Sequence, residues 1–181
     1  MRKLPPYSRI IGLDLHPRRF GFAVLEARET PDLLDWGASR AKGSTRTVNK
    51  TLVARRLRRL MKLWRPSFVV ALKEASPRSH RTQRLVAMIK KEARHSRVSF
   101  CTVNLELVAY ALGSREKLTK YQRASLVAKL FPFLQWRLPP PPRRGWTEDY
   151  QLSIFDAAAL ALAYVVKRMD AKRKLGPVSI S

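Results

Sequence analysis

Residues 10–25 read Ile10-Ile11-Gly12-Leu13-Asp14-Leu15-His16-Pro17-Arg18-Arg19-Phe20-Gly21-Phe22-Ala23-Val24-Leu25. Two β-rich apolar runs joined by a short Pro-containing turn predict a hairpin of adjacent strands. Asp14 stands inside the first run, where a carboxylate is costly to bury unless positive charge meets it. A metal ion is the first candidate, because hard divalent cations such as Mg²⁺ take carboxylate oxygens and keep water or phosphate as their remaining ligands.

The composition points to where phosphate would come from. Lys and Arg number 37 against 13 acidic residues, a formal charge of +24 on 181 residues. That excess is more than solubility requires and repels itself in a compact fold, so a polyanionic partner is expected. Nucleic acid is the leading class, since backbone phosphates draw Lys and Arg by counterion release. An anionic membrane surface is the weaker one: no stretch approaches the roughly 18 apolar residues of a spanning helix, and the N-terminus has no signal-peptide core. The expectation is a soluble, cytoplasmic protein with no membrane association. The single cysteine, Cys101, excludes an internal disulfide and a cysteine zinc cluster, and its apolar surroundings read as core.

The length and a hydrophobic fraction of 45% fit one domain with a real core. Residues 1–7 are expected to be a flexible basic N-terminus, 8–166 the folded domain, and 167–181 a basic, disordered tail. Between the ends, strand and helix signals alternate. Residues 33–37 read as a third strand, and Val53, Leu57, Leu60 and Trp64 recur at helical spacing through 51–65, where Pro66 stops the pattern. The continuous apolar run 68–72 reads as a buried strand, with Glu74 just past its end. A helix over 82–94, a strand over 98–103, a helix over 119–131 and a helix over 149–166 complete the order. The last carries one apolar stripe (Leu152, Phe155, Ala159, Leu162, Val166), interrupted by Asp156. Before it, Pro139-Pro140-Pro141-Pro142-Arg143-Arg144 must be an extended basic connection, either a spacer or a rim touching the substrate backbone.

Most acidic residues, among them Glu26, Glu29, Asp32 and Glu92, have polar neighbours and read as surface charge. Asp14, Glu74 and Asp156 differ: one is inside a strand, one at the end of a buried strand, and one on an apolar helix face. Brought together in a strongly positive chain, they make a cation site beside bound phosphate. Arg18 and Arg19 in the hairpin turn, Arg78, His80, Arg81 and Arg84 after Glu74, Lys120, and Arg143 and Arg144 are the expected phosphate contacts. Among the tryptophans, Trp64 reads as core and Trp146, after the basic connection, as the better stacking candidate for an unpaired base, ahead of Trp36 and Trp136.

The hairpin with its Gly12-Leu13-Asp14, the glutamate after a buried strand, the stretch Leu112-Gly113-Ser114-Arg115-Glu116-Lys117, and Phe155-Asp156-Ala157-Ala158-Ala159-Leu160-Ala161 together resemble the RuvC-type Holliday-junction resolvases of the RNase H-like superfamily. The resemblance runs in order through most of residues 8–166. It implies an α/β RNase H-like fold, with a mixed five-stranded sheet flanked by helices. It implies Asp14, Glu74 and Asp156 as ligands of two Mg²⁺ or Mn²⁺ ions, a homodimer, and cleavage of branched DNA. Two such ions lie about 3.5–4 Å apart in enzymes of this chemistry. Lys117 matches the family's lysine after Gly-Ser, with Lys120 an equally reachable alternative. One departure stands out: the resolvases carry two acidic residues three apart on the last helix, whereas the position three before Asp156 is Ser153 and the position three after it is Ala159. An RNA-processing nuclease like the YqgF group and a nucleic-acid-binding protein on a weakened nuclease fold are the alternatives.

Overall fold

The computed structural model describes residues 8–41, 49–73, 80–141 and 149–174. Strands β1 (Arg9–His16) and β2 (Arg19–Glu26) form the expected antiparallel hairpin, paired from Arg9–Glu26 to His16–Arg19. The His16 ring accepts a hydrogen bond from the Arg18 amide (3.2 Å) and closes the turn. Strand β3 (Asp32–Arg40) adds antiparallel to β2, while β4 (Phe68–Leu72) and β5 (Ser99–Val103) add parallel on the other side of β1. The sheet order is β3-β2-β1-β4-β5, the mixed five-stranded sheet that the family resemblance implies.

Strand alternation divides β1 between two cores. Ile11, Leu13 and Leu15 face one side, covered by α1 (Lys50–Trp64) and α2 (His80–His95) through Leu57, Leu60, Leu85 and Ile89. Asn49 caps α1 through its side chain, and Arg65 ends it in a left-handed conformation. Ile10 faces the opposite core, built with α3 (Leu105–Ala111), α4 (Lys120–Leu130) and α5 (Leu152–Lys174). By the same alternation Gly12 and Asp14 belong to the α5 side.

Helix α5 lies directly on the sheet. A Cβ at Gly12 would overlap the carbonyl oxygen of Ala157, and a Cβ at Gly21 would overlap that of Ser153. Residues 152–165 of α5 are all buried, not only one stripe, because β1 and β2 lie beneath the helix and α3 and α4 beside it. A helix apolar all round is the pattern of a fully enclosed helix.

Two local elements were not visible as periodicity. Helix α3 is too short to show a stripe, although Asn104 caps it by accepting from the Leu107 amide (3.1 Å). The 3₁₀ helix Pro132–Arg137 follows α4 and is pinned by fully buried Leu134. The expected boundary at residue 166 is also corrected. α5 continues to Lys174, held by buried Arg168, whose guanidinium lies over the Phe68 ring (5.6 Å), and by Met169 against the core. Residues 1–7 and 175–181 lie outside the described residues. Cys101 is half-buried, and its thiol donates to the Tyr164 hydroxyl (3.4 Å). Among the described residues no helix is long and apolar enough to cross a membrane.

The helix-on-glycine contact predicts a contrast. Gly12→Ala and Gly21→Ala each force backbone apart and destabilise the fold by about 3 kcal/mol or more. Gly113→Ala, which adds a Cβ into open space at φ +78°, costs only about 1 kcal/mol. Denaturant midpoints of the three variants check this, and equal shifts would refute the packing account.

Candidate metal and nucleic-acid site

The glycine contact decides what meets Asp14. Gly21 is the strand partner of Asp14, and Ser153 packs on Gly21, so the first turn of α5 crosses the sheet at the level of Asp14. Asp156 follows Ser153 by one helical turn and is 6% exposed. Asp14 is less enclosed, with 18% of its side chain exposed, and Arg19 Nε lies 3.7 Å from its Oδ2.

Helix α4 supplies the counter-charge to Asp156. Nε and Nη2 of Arg123 both lie 3.0 Å from Asp156 Oδ1, and Arg123 Nη1 donates to the Leu118 carbonyl (2.9 Å). Lys120 Nζ is 3.2 Å from Asp156 Oδ2, as an ion pair outside hydrogen-bond geometry. The two cations are three apart on the first turns of α4, and hence on one helix face. A reciprocal cap holds that helix start: the Thr119 amide donates to Gln122 Oε1 and the Gln122 amide to Thr119 Oγ1.

Burial pushes the Asp156 carboxyl above its ordinary value, and the charge of Asp14 pushes it further, against the opposing pull of Lys120 and Arg123. Glu26 makes an instructive comparison. It reads as surface charge in the sequence, yet it is buried at the far end of the hairpin between Arg9 (3.1 Å) and Arg28. Burial raises its carboxyl too, but the two arginines outweigh burial and hold it low. Both carboxylates have two basic partners; Asp156 also has an acidic neighbour.

Three buried oxygens at this place lack a hydrogen-bond partner: Asp14 Oδ2, Asp156 Oδ2 and Ser153 Oγ. Unsatisfied buried oxygens are rare in folded chains, and the two carboxylates lie close enough to feel each other's charge; oxygens of this kind suit a hard divalent cation. Among the described residues no third Asp, Glu, His or Cys joins the two carboxylates in a metal-type cluster. Glu74, Arg78, Arg143 and Arg144 lie outside the described residues, which stop at Lys73 just past β4. β4 runs parallel to β1 with Ala71 opposite Leu13, so it ends at the Asp14 end of the sheet.

The remaining sequence candidates are dispersed. Lys117 is exposed in the loop before α4, and Arg18 is exposed in the hairpin turn. His80, Arg81 and Arg84 are exposed on α2, on the opposite face of the sheet from α5. Asp149 accepts from the Gln151 amide (2.7 Å) and so caps the turn leading into α5. Trp64 is half-buried, its indole donating to Asp35 (3.1 Å). Arg123 was missed by sequence reasoning. Its signal was position: it lies on the face of α4 that carries Ala124, Val127 and Ala128, where an arginine needs a buried anion.

No protein-family model matches the sequence, and no curated protein matches it. Solved structures match nearly the whole chain. They include Thermus thermophilus RuvC in complex with a Holliday junction substrate, with a TM-score of 0.65 and 18% identity over 90% of this chain and 96% of that one. The yeast mitochondrial Holliday junction resolvase matches with a TM-score of 0.65 and 14% identity, over 94% and 82%. A fowlpox virus resolvase complexed with Holliday junction DNA matches with a TM-score of 0.54 and 16% identity, over 87% and 99%. The chain therefore has the RuvC-like RNase H fold.

The Arg123–Asp156 pair makes a stability prediction. Arg123→Ala leaves a buried carboxylate short of its partner and destabilises by about 3–5 kcal/mol. Adding Asp156→Ala recovers part of that loss. The sign with pH follows from the raised folded value: above the unfolded value of 3.8 the native state holds the proton that the unfolded chain releases. Asp156 therefore removes stability as pH rises from there through its folded value, and Asp156→Asn flattens that slope. Chemical denaturation across pH tests both, and an Arg123→Ala protein as stable as wild type would refute the pairing.

Proposed function

We propose that the protein is a cytoplasmic, divalent-cation-dependent endonuclease that hydrolyses phosphodiester bonds in branched or structured DNA, in the manner of the Holliday-junction resolvases whose fold it shares. The observation that carries this reading is the meeting of Asp14 and Asp156, with unsatisfied oxygens, at one end of the sheet. Asp14 and Asp156, with Glu74 as the third carboxylate, are the residues that would hold Mg²⁺ or Mn²⁺. The chemistry such a pair of ions supplies is activation of water and stabilisation of the leaving 3′ oxygen.

The chain's own cations have separate work. Arg19, Lys120 and Arg123 surround the carboxylates and would stabilise the additional negative charge that develops on a phosphodiester as water adds to it. Lys117, exposed in the loop before α4, is the lysine proposed to face the scissile phosphate. Arg18, His80, Arg81 and Arg84, with Arg78, Arg143 and Arg144, would hold the backbone without reading sequence. Cutting two strands of a junction calls for two such sites, and the protein is proposed to act as a homodimer.

A specific observation also supports the second reading, a nucleic-acid-binding protein that has lost cleavage. Asp156 is already paired with two protein cations, and neither Ser153 nor Ala159, the positions three before and three after it, supplies a second acid. Four-way junction, duplex, single-stranded DNA and RNA, incubated side by side with Mg²⁺, Mn²⁺ or EDTA, separate the readings. The nuclease cuts the junction only with metal; the binding protein cuts nothing.

Two variants sharpen this. Asp14→Asn abolishes cleavage while junction binding stays the same or tightens, because one negative charge beside phosphate is gone. Near-normal cleavage by Asp14→Asn would remove the site assignment. Ser153 is fully buried, so Ser153→Asp adds a carboxylate with no protein partner. That variant is expected to melt lower than wild type in EDTA and to recover in Mn²⁺. A thermal shift indifferent to Mn²⁺ would show that position 153 does not face the cation site.

A further inference from the structure

The 3₁₀ helix that follows α4 carries a feature the carboxylates do not explain. Trp136, in the 3₁₀ helix, is 70% exposed, yet the helix beneath it is firmly seated: Leu134 is fully buried and the Phe133 ring lies 5.2 Å from Trp36 of β3. The Arg137 guanidinium lies 3.9 Å from the centre of the Trp136 ring, and its Nη1 donates to Gln151 Oε1 (3.3 Å). One side of the indole is thus backed by a fixed cation, and the ring is held out toward solvent. Gln151 is two residues before Ser153, so this ring stands at the carboxylate end of α5. A second arginine-backed ring stands nearby: Arg40 lies over Tyr150 (5.4 Å), and Arg40 is the strand partner of Arg19, which faces Asp14.

We propose that Trp136, backed by Arg137, is a stacking platform for an unpaired nucleobase of the strand whose backbone passes the Asp14–Asp156 site. This rests on the nucleic-acid reading above and does not require that the site cuts. The occupant follows from the chemistry. A flat aromatic face bordered by guanidinium groups, on a chain of charge +24, suits a base attached to an anionic backbone. Bases inside a continuous duplex are stacked on both faces, so only a base freed at a gap, branch or single-stranded end can use the ring. Trp146, the candidate preferred from the sequence, lies outside the described residues.

The test uses the full-length protein in EDTA, at fixed salt, with wild type, Trp136→Ala and Trp136→Phe. Single-stranded DNA, a duplex containing a single-stranded gap and a continuous duplex of equal length are titrated by fluorescence anisotropy. The platform predicts that Trp136→Ala binds the first two about tenfold more weakly, with duplex affinity unchanged. Trp136→Phe keeps most of the affinity and loses part of the tryptophan quenching that accompanies single-strand binding. An equal fall for all three ligands, or no change for any, overturns the proposal. So does a Trp136→Ala protein that loses self-association in sedimentation while its preference for unpaired bases is intact, which would make the ring a subunit contact. Selective loss by Trp136→Ala in a protein that never cleaves would reject the nuclease and keep the platform.

Discussion

A helix backbone resting on strand backbone is the constraint from which the rest follows. At Gly12 and Gly21 there is no room for a Cβ, because the carbonyls of Ala157 and Ser153 occupy its place. That closeness brings the first turns of α5 against the centre of the hairpin, and it is why Asp156 loses its water. A buried carboxylate beside another acid must find cations, and α4 provides Arg123 and Lys120 from a capped helix start. The packing contact and the electrostatic one are therefore a single device.

The electrostatics give the site its character. Asp14 and Asp156 are met by three protein cations, so the described part of the site has no excess of negative charge. Such a centre attracts phosphate before any metal arrives. It also holds a cation less tightly than a cluster of uncompensated acids would, since Arg123 and Lys120 share the same oxygens.

The hairpin, the three other strands of the sheet and the major helices were legible because each is long enough to show its period or is bounded by proline. Asp14 was legible because a carboxylate inside an apolar strand has few explanations, and Asp156 because it breaks an alanine-rich helix. Arg123 was not, since one arginine on a short helix looks like surface until the partner helix is in place. Glu26 failed in the same way: its partners Arg9 and Arg28 lie across the hairpin and beyond it, and only strand register joins them. The tail was misjudged past 166 because Arg168 reads as a solvated charge, whereas its stem and guanidinium cover Phe68.

The claim at the centre is that Asp14 and Asp156 form one cation site despite the basic residues already there. Crystals of the full chain soaked in Mn²⁺, with anomalous scattering collected at the manganese edge, address it directly. An anomalous peak between Asp14 and Asp156, with Lys120 displaced from Asp156, is the expected result. Saturating Mn²⁺ with no peak between the two carboxylates, and the Arg123 and Lys120 contacts unchanged, would contradict it.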